Sequence, residues 1–300
     1  MKEIRKMNNG ILNKEYETFI DYIDVSNKTI ESYKNGIISM LEYFELHSIV
    51  NPNRNDIKSY RDWLLSSHSS NTVNSYMTGI REFFKYLEMV GVYQNVAKDI
   101  KGAKVSTTPK KQILTKQQVV NIYHSLSDLR EKALFSLLVT TGLRGVEVAN
   151  ARIEDIKKYN DEIVLWIQCK GHSSRDEFVK IPENVFQDIK NYVGNRTSGY
   201  IFIGDSNRNK GQQLTTKTIR LIIKTILRRF GLDEDTLSLH SLRRTFASVA
   251  YENGADIYSI QQVLHHKSIN TTTIYLRSSD RNKNNTEYSV SDCLFNKEVN

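Results

Sequence analysis

The segment LREKALFSLLVTTGLRGVE, residues 129–147, holds a helix, a stop and a second start. Its Ala133–Val139 stretch is apolar enough for a core helix and far shorter than the ~18–20 residues of a membrane span. Gly142 follows the last turn, where glycine commonly ends a helix, and a new helix begins about Arg144. Upstream, Thr115-Lys116-Gln117-Gln118 has the capping-box pattern, a hydroxyl followed three residues later by Gln, and starts a helix over 116–126. Downstream, EIVLWIQ (162–168) and EFVKIP (177–182) are rich in β-branched and aromatic residues and read as a β-hairpin around the loop CKGHSSRD. A helix at 183–193, a short strand YIFIG at 200–204, a long helix at 215–230 and helices near 240–253 and 256–265 follow. The fold class is mainly α with a small β-hairpin or sheet (α+β).

The first hundred residues carry a different pattern. Tyr16, Phe19, Ile20 and Ile23 share one helical face, as do Ile30, Tyr33, Ile37, Leu41 and Phe44 behind a cap at Ser26 or Asn27. Ile57, Tyr60 and Leu64 follow Pro52-Asn53; Val73, Tyr76, Ile80, Phe83 and Leu87 follow Ser70-Asn71, and Gly91 ends the fourth helix. Four such helices with short connections make a compact bundle. Residues 97–113, AKDIKGAKVSTTPKKQI, lose the period and carry lysines at 98, 101, 104, 110 and 111, which is linker composition. The expected division is a helical domain over 1–96, a basic linker over 97–113, a second domain over 114–277 and a C-terminal segment over 278–300. That last segment is polar, with an apolar cluster of Val290, Leu294 and Phe295.

Length and composition suit a globular chain: 300 residues, 39% hydrophobic, 25% charged, with only 3 prolines. The first twenty residues alternate polar and apolar types without the apolar block of a secretory signal. Cys169 and Cys293 are too few for a disulfide framework, so a cytoplasmic setting is the expectation. The net charge is +8, and it is unevenly spread: residues 1–100 hold 12 Lys/Arg against 13 Asp/Glu, leaving +9 for residues 101–300. A basic module of this kind points to a polyanion, nucleic acid first.

Several fragments have chemistry in them. In His240-Ser-Leu-Arg243 the i, i+3 spacing puts imidazole and guanidinium on one helical face at a helix N-terminus, which suits a phosphate. Arg144, leaving a glycine turn with Glu147 three residues on, fits a second phosphate fork and equally a helix-surface ion pair. Lys170 lies at the tip of the hairpin beside Gly171, a place from which its ammonium could enter a cleft as proton donor or simply face water; Lys180 in the return strand is an alternative. Along helix 215–230, Lys217, Arg220, Lys224 and Arg228 recur at three- and four-residue steps opposite an isoleucine face, a stripe matching phosphates or simply water. Lys110 and Lys111 would lie along a phosphate backbone if the linker straps DNA. Zinc is not expected: His265 and His266 are adjacent and diverge on a helix, and Cys169-x-x-His172 has no second pair.

Each fragment is weak alone. In order, however, Thr141-Gly142-Leu143-Arg144-Gly145-Val146-Glu147, Lys170 in a hairpin, His240-Ser-Leu-Arg243-Arg244-Thr245-Phe246-Ala247, Leu264-His265-His266-Lys267-Ser268 and Thr272-Thr273-Ile274-Tyr275 resemble the tyrosine recombinase family, which includes phage-type integrases and bacterial Xer recombinases. The resemblance covers essentially the whole chain, because residues 11–95 look like that family's helical core-binding domain. It implies a two-domain clamp on double-stranded DNA and a site-specific recombinase working through a 3′-phosphotyrosyl intermediate, without metal or ATP. By resemblance Arg144 and Arg243 clamp the scissile phosphate, Tyr275 is the nucleophile, His240 the general base and Lys170 the general acid. His266 hydrogen-bonds the phosphate, Glu147 supports Arg144, and Arg244 contacts DNA or a partner. The family commonly has Gly where His265 stands and His where Arg244 stands. It also implies a monomer when free, a homotetramer on two duplexes, accessory DNA-bending proteins for some members, exchange of residues 278–300 between protomers, and a place on the bacterial nucleoid. The alternatives are a type IB topoisomerase, which shares the chemistry but not the helical bundle, and a DNA-binding protein without catalysis.

Overall fold

The computed structural model describes residues 10–104, 112–168, 174–207, 209–232, 236–266, 268–269 and 272–273. The chain forms two compact units, Met1–Ser106 and Thr107–Asn300.

In the first unit, α1 (Gly10–Tyr22), α2 (Asn27–Leu46), α3 (Arg54–Ser67) and α4 (Ser70–Met89) form the bundle. Hydroxyl and amide side chains start three of them: Ser26 accepts from the Thr29 amide, Asn53 and Asp56 form a reciprocal capping box, and Ser69 accepts from the Thr72 amide. Phe19, Ile37, Phe44, Tyr60 and Phe83 are fully enclosed, so burial of the apolar faces holds the unit together. The α2 and α4 backbones approach closely at two glycines. A methyl at Gly36 would stand 2.8 Å from the Tyr76 Cα, and one at Gly79 would stand 2.9 Å from the Tyr33 Cα.

Residues 97–104, expected to begin the linker, instead pack on this unit. Ala97 and Ile100 are buried. The carbonyls of Lys98, Ile100 and Lys101 accept from Arg54, Arg81 and Arg61, and the Asn74 amide exchanges hydrogen bonds of 2.8 and 3.1 Å with Ala103. Small residues and lysines hide this role, because the partners are carbonyls rather than side chains.

The second unit contains α5 (Lys116–Ser125), α6 (Leu129–Thr141), α7 (Gly145–Asn150), β1 (Ile156–Tyr159), β2 (Glu162–Ile167), β3 (Glu177–Lys180), α8 (Glu183–Val193), α9 (Thr216–Arg229), α10 (Leu239–Glu252) and α11 (Ile257–Val263). Helix α6 is its axis: Ala133, Leu134, Phe135 and Leu137 are all 0% exposed, so it is surrounded on every side. The sheet is antiparallel in the order β1-β2-β3, in which β2 and β3 are the expected hairpin and β1 was not expected. Strand β1 reaches β2 through Asn160 and Asp161, both left-handed at φ +46° and +63°, the conformation of a tight two-residue hairpin turn. The expected strand at 200–204 forms only single bridges, Arg152 with Tyr200, Ile203 with Gln213 and Gly204 with Lys210. Its apolar pattern reflects the burial of Ile201 and Phe202. Among the described residues no helix is long and apolar enough to cross a membrane.

Candidate functional site

The site grows from three backbone turns of the second unit. Gly142 ends α6 in the left-handed conformation (φ +65°), and a Cβ there would lie 2.7 Å from both Leu264 and Phe246 side chains. Only glycine meets both demands. The Gly142 carbonyl accepts from Arg243 Nη1 at 2.6 Å, while Arg243 Nη2 donates to the Leu264 carbonyl at the end of α11. Arg243 comes from the second turn of α10 and is only 2% exposed. Arg144 precedes α7: its Nη1 and its backbone amide each meet a different oxygen of Glu147, both at 2.7 Å, and its Nη2 donates to the His265 carbonyl at 3.4 Å. Glu147 is 1% exposed. Two guanidiniums thus tie the ends of α6 and α11 to the starts of α7 and α10, and the charge-assisted bonds fix where those cations sit.

His266 lies on the same turn, 8% exposed, with Nδ1 2.8 Å from the Thr272 hydroxyl and its carbonyl held by the Gln261 amide at 2.9 Å. Burial, and then the positive neighbours Arg243 and Arg144, with His240 and His265 adding to them, push the imidazole down to about 3. It is therefore neutral at ordinary pH. His265 is also pushed down, chiefly by burial and against the pull of Glu177 and Glu147. His240 is in the first turn of α10, exposed. Arg144, Glu177, Lys180, His265, His266 and Ser268 bound one open cleft of about 1390 Å³. Arg144 in the lining, with the Arg243 cation near enough to act on His266, makes a positive environment that suits a phosphodiester.

On α9, Lys217, Arg220 and Arg228 are exposed and Lys224 half-buried, while Ile219, Ile223, Ile226 and Leu227 face the core. Arg244, expected to contact DNA or a partner, is 5% exposed and packs inside the unit. The alternative lysine, Lys180, has its Nζ 2.9 Å from Glu162 on the neighbouring strand. Lys170, Tyr275, Lys110 and Lys111 lie outside the described residues. Thr272 and the carbonyls of Gly142, Leu264 and His265 were not anticipated. Three of these are backbone carbonyls, which no side-chain pattern marks, and the Thr272 contact arises from a turn that spacing alone does not show.

Comparison with known proteins gives a consistent picture. A family model described as the phage integrase family matches residues 112–282, and one described as the phage integrase N-terminal SAM-like domain matches residues 16–91. Tyrosine recombinase XerA of Pyrococcus furiosus is 34% identical over 185 residues, covering 60% of this chain and 62% of that protein. The chain therefore matches somewhat less than two thirds of that relative's length. Among solved structures, XerH recombinase bound to a palindromic difH substrate in a post-cleavage complex superposes with TM-score 0.70 at 18% identity, covering 95% of this chain and 94% of that one. A lambda integrase tetramer bound to a Holliday junction superposes with TM-score 0.68 at 17% identity, over 91% and 79%.

Proposed function

We propose that this chain, which belongs to the phage integrase family, is a site-specific DNA recombinase that cleaves and rejoins strands through a 3′-phosphotyrosyl intermediate. The observation that carries this reading is the convergence of Arg144 and a neutral His266 on one cleft, with Arg243 held by the Gly142 and Leu264 carbonyls near enough to act on the His266 ring. In the proposed first step the Tyr275 phenol oxygen attacks phosphorus, the bond to the 5′-oxygen breaks, and a Tyr–O–P bond forms. His240 takes the phenolic proton, needed because a phenol of pKa ~10 is mostly protonated near neutrality. Lys170 protonates the departing 5′-oxygen. Arg144 and Arg243 neutralise the charge that builds on the non-bridging oxygens, with Glu147 holding Arg144 in line. A 5′-hydroxyl from a second duplex then attacks the phosphotyrosine and releases Tyr275. The covalent link conserves the phosphodiester, so two transesterifications replace hydrolysis and no ATP or metal is required.

In this reading the partner is a double-stranded recombination site bound by both units, with Lys217, Arg220, Lys224, Arg228, Lys110 and Lys111 along the backbone. The chain is a monomer when free and assembles as a tetramer on two duplexes, with residues 278–300 passed between protomers and DNA-bending proteins where a site requires them. It acts in the cytoplasm, on the nucleoid.

A duplex with a nick just beyond the cleavage point lets the 5′ fragment escape and traps the enzyme on DNA. The full chain is expected to form an adduct that survives denaturing electrophoresis, and Tyr275→Phe to form none. An adduct that persists in the Phe variant, or its absence with the unaltered chain on its own site, overturns the reading.

A further inference from the structure

Helix α11 ends in a Schellman motif: the His265 amide donates to the Gln262 carbonyl at 2.9 Å and the His266 amide to the Gln261 carbonyl at 3.1 Å. The residue at its centre, His265, is left-handed at φ +47°, a place where glycine is strain-free and asparagine next best. The motif aims two successive carbonyls at the site, that of Leu264 at Arg243 and that of His265 at Arg144. The His265 imidazole meanwhile reaches the sheet, with Nδ1 3.4 Å from Glu177 Oε2. Glu177 pairs with Ile167 at the open end of the β2–β3 ladder, so it stands at the foot of the connection 168–176 in which Lys170 lies.

We propose that His265 is a positioning residue: its contact with Glu177 locks the foot of the Lys170 connection to the turn that anchors both arginines. The inference rests on the recombinase reading above and adds to it the part that registers proton donor against phosphate. The ion pair itself contributes little to stability, because Glu177 is 52% exposed. The groups facing His265 are Glu177 from β3, Arg144 and Glu147 at α7, Arg243 from α10 and the neighbouring His266. The Nε2 atom is buried with no partner among the described residues.

The test uses the full chain and the nicked duplex, measuring the single-turnover rate of adduct formation, DNA affinity and thermal unfolding side by side. His265→Gly removes the backbone strain and keeps both carbonyls. It should unfold no earlier than the parent and bind DNA equally, yet form adduct about ten- to a hundred-fold more slowly, the scale of a small misplacement of a catalytic group. His265→Asn tolerates the left-handed conformation and carries an N–H where Nδ1 stands, so it should retain most of the parental rate. Glu177→Ala should slow the reaction as His265→Gly does, and the double variant should be no slower than either single, as expected for two halves of one contact. A Gly variant that reacts at the parental rate, or losses that add in the double variant, overturns the inference while leaving the recombinase reading intact. A parent chain that forms no adduct overturns both.

Discussion

At the scale of the residue, His266 shows how the pocket controls charge. Its ring is enclosed among two guanidiniums and two other imidazoles, so accepting a proton costs both desolvation and repulsion. The folded value of about 3 lies below the ordinary 6.5. Between those values the unfolded chain binds a proton that the native chain refuses. The stabilisation is thus present in full above the ordinary value and is lost as the solution is acidified through that window, at up to about 1.4 kcal/mol per pH unit. Urea unfolding of the full chain at about pH 7 and about pH 5 should show the drop, and His266→Gln should shrink it by about 2 kcal/mol. A drop that is unchanged in the variant would mean that the ring titrates freely. Spacing in the sequence exposes the pairs Arg144/Glu147 and His240/Arg243, because residues three apart on a helix face one way. It is silent on the carbonyls of Gly142 and Leu264 that anchor Arg243, because every residue has a carbonyl and only the tertiary turn selects these two.

At the scale of the element, helices were the easier part to read because their period of apolar faces and their caps are local signals; Ser26, Asn53, Ser69 and Thr115 all cap where hydroxyl or amide residues precede apolar runs. Strand β1, IKKY, has one half-buried residue followed by three exposed ones, so no alternation marks it, and the left-handed Asn160-Asp161 turn that joins it to β2 was not anticipated from the sequence. The α2–α4 crossing tests the packing directly. Alanine in place of a mid-helix glycine ordinarily stabilises by up to about 1 kcal/mol. At Gly36 or Gly79 the added methyl would press on a tyrosine backbone at 2.8 or 2.9 Å, which something must yield to. Gly36→Ala and Gly79→Ala should each therefore destabilise the first unit by about 1–3 kcal/mol in urea unfolding followed by circular dichroism. A neutral or stabilising outcome would mean that the helices do not approach as closely as this.

At the scale of the whole molecule, charge is what separates the two units' tasks. The first hundred residues are nearly balanced, whereas the remainder carry +9 and concentrate part of it on the outer face of α9. The helix keeps its isoleucines inward, so its cations are held on a rigid surface instead of a loose tail. If those cations meet phosphates, each contact displaces condensed counterions, and affinity falls with salt at a slope of about 0.9 per phosphate neutralised. Lys217 and Arg220 are the cleanest probes, both exposed and one turn apart. Replacing both with Gln should leave thermal unfolding unchanged and reduce the slope of log affinity against log salt by about two, measured on the full chain with its own duplex and with an unrelated one. The reduction should be equal on both duplexes, because backbone contacts carry no sequence information. A slope that stays at the parental value would place DNA on another face of the second unit, and a loss confined to the specific duplex would make these side chains readers of bases.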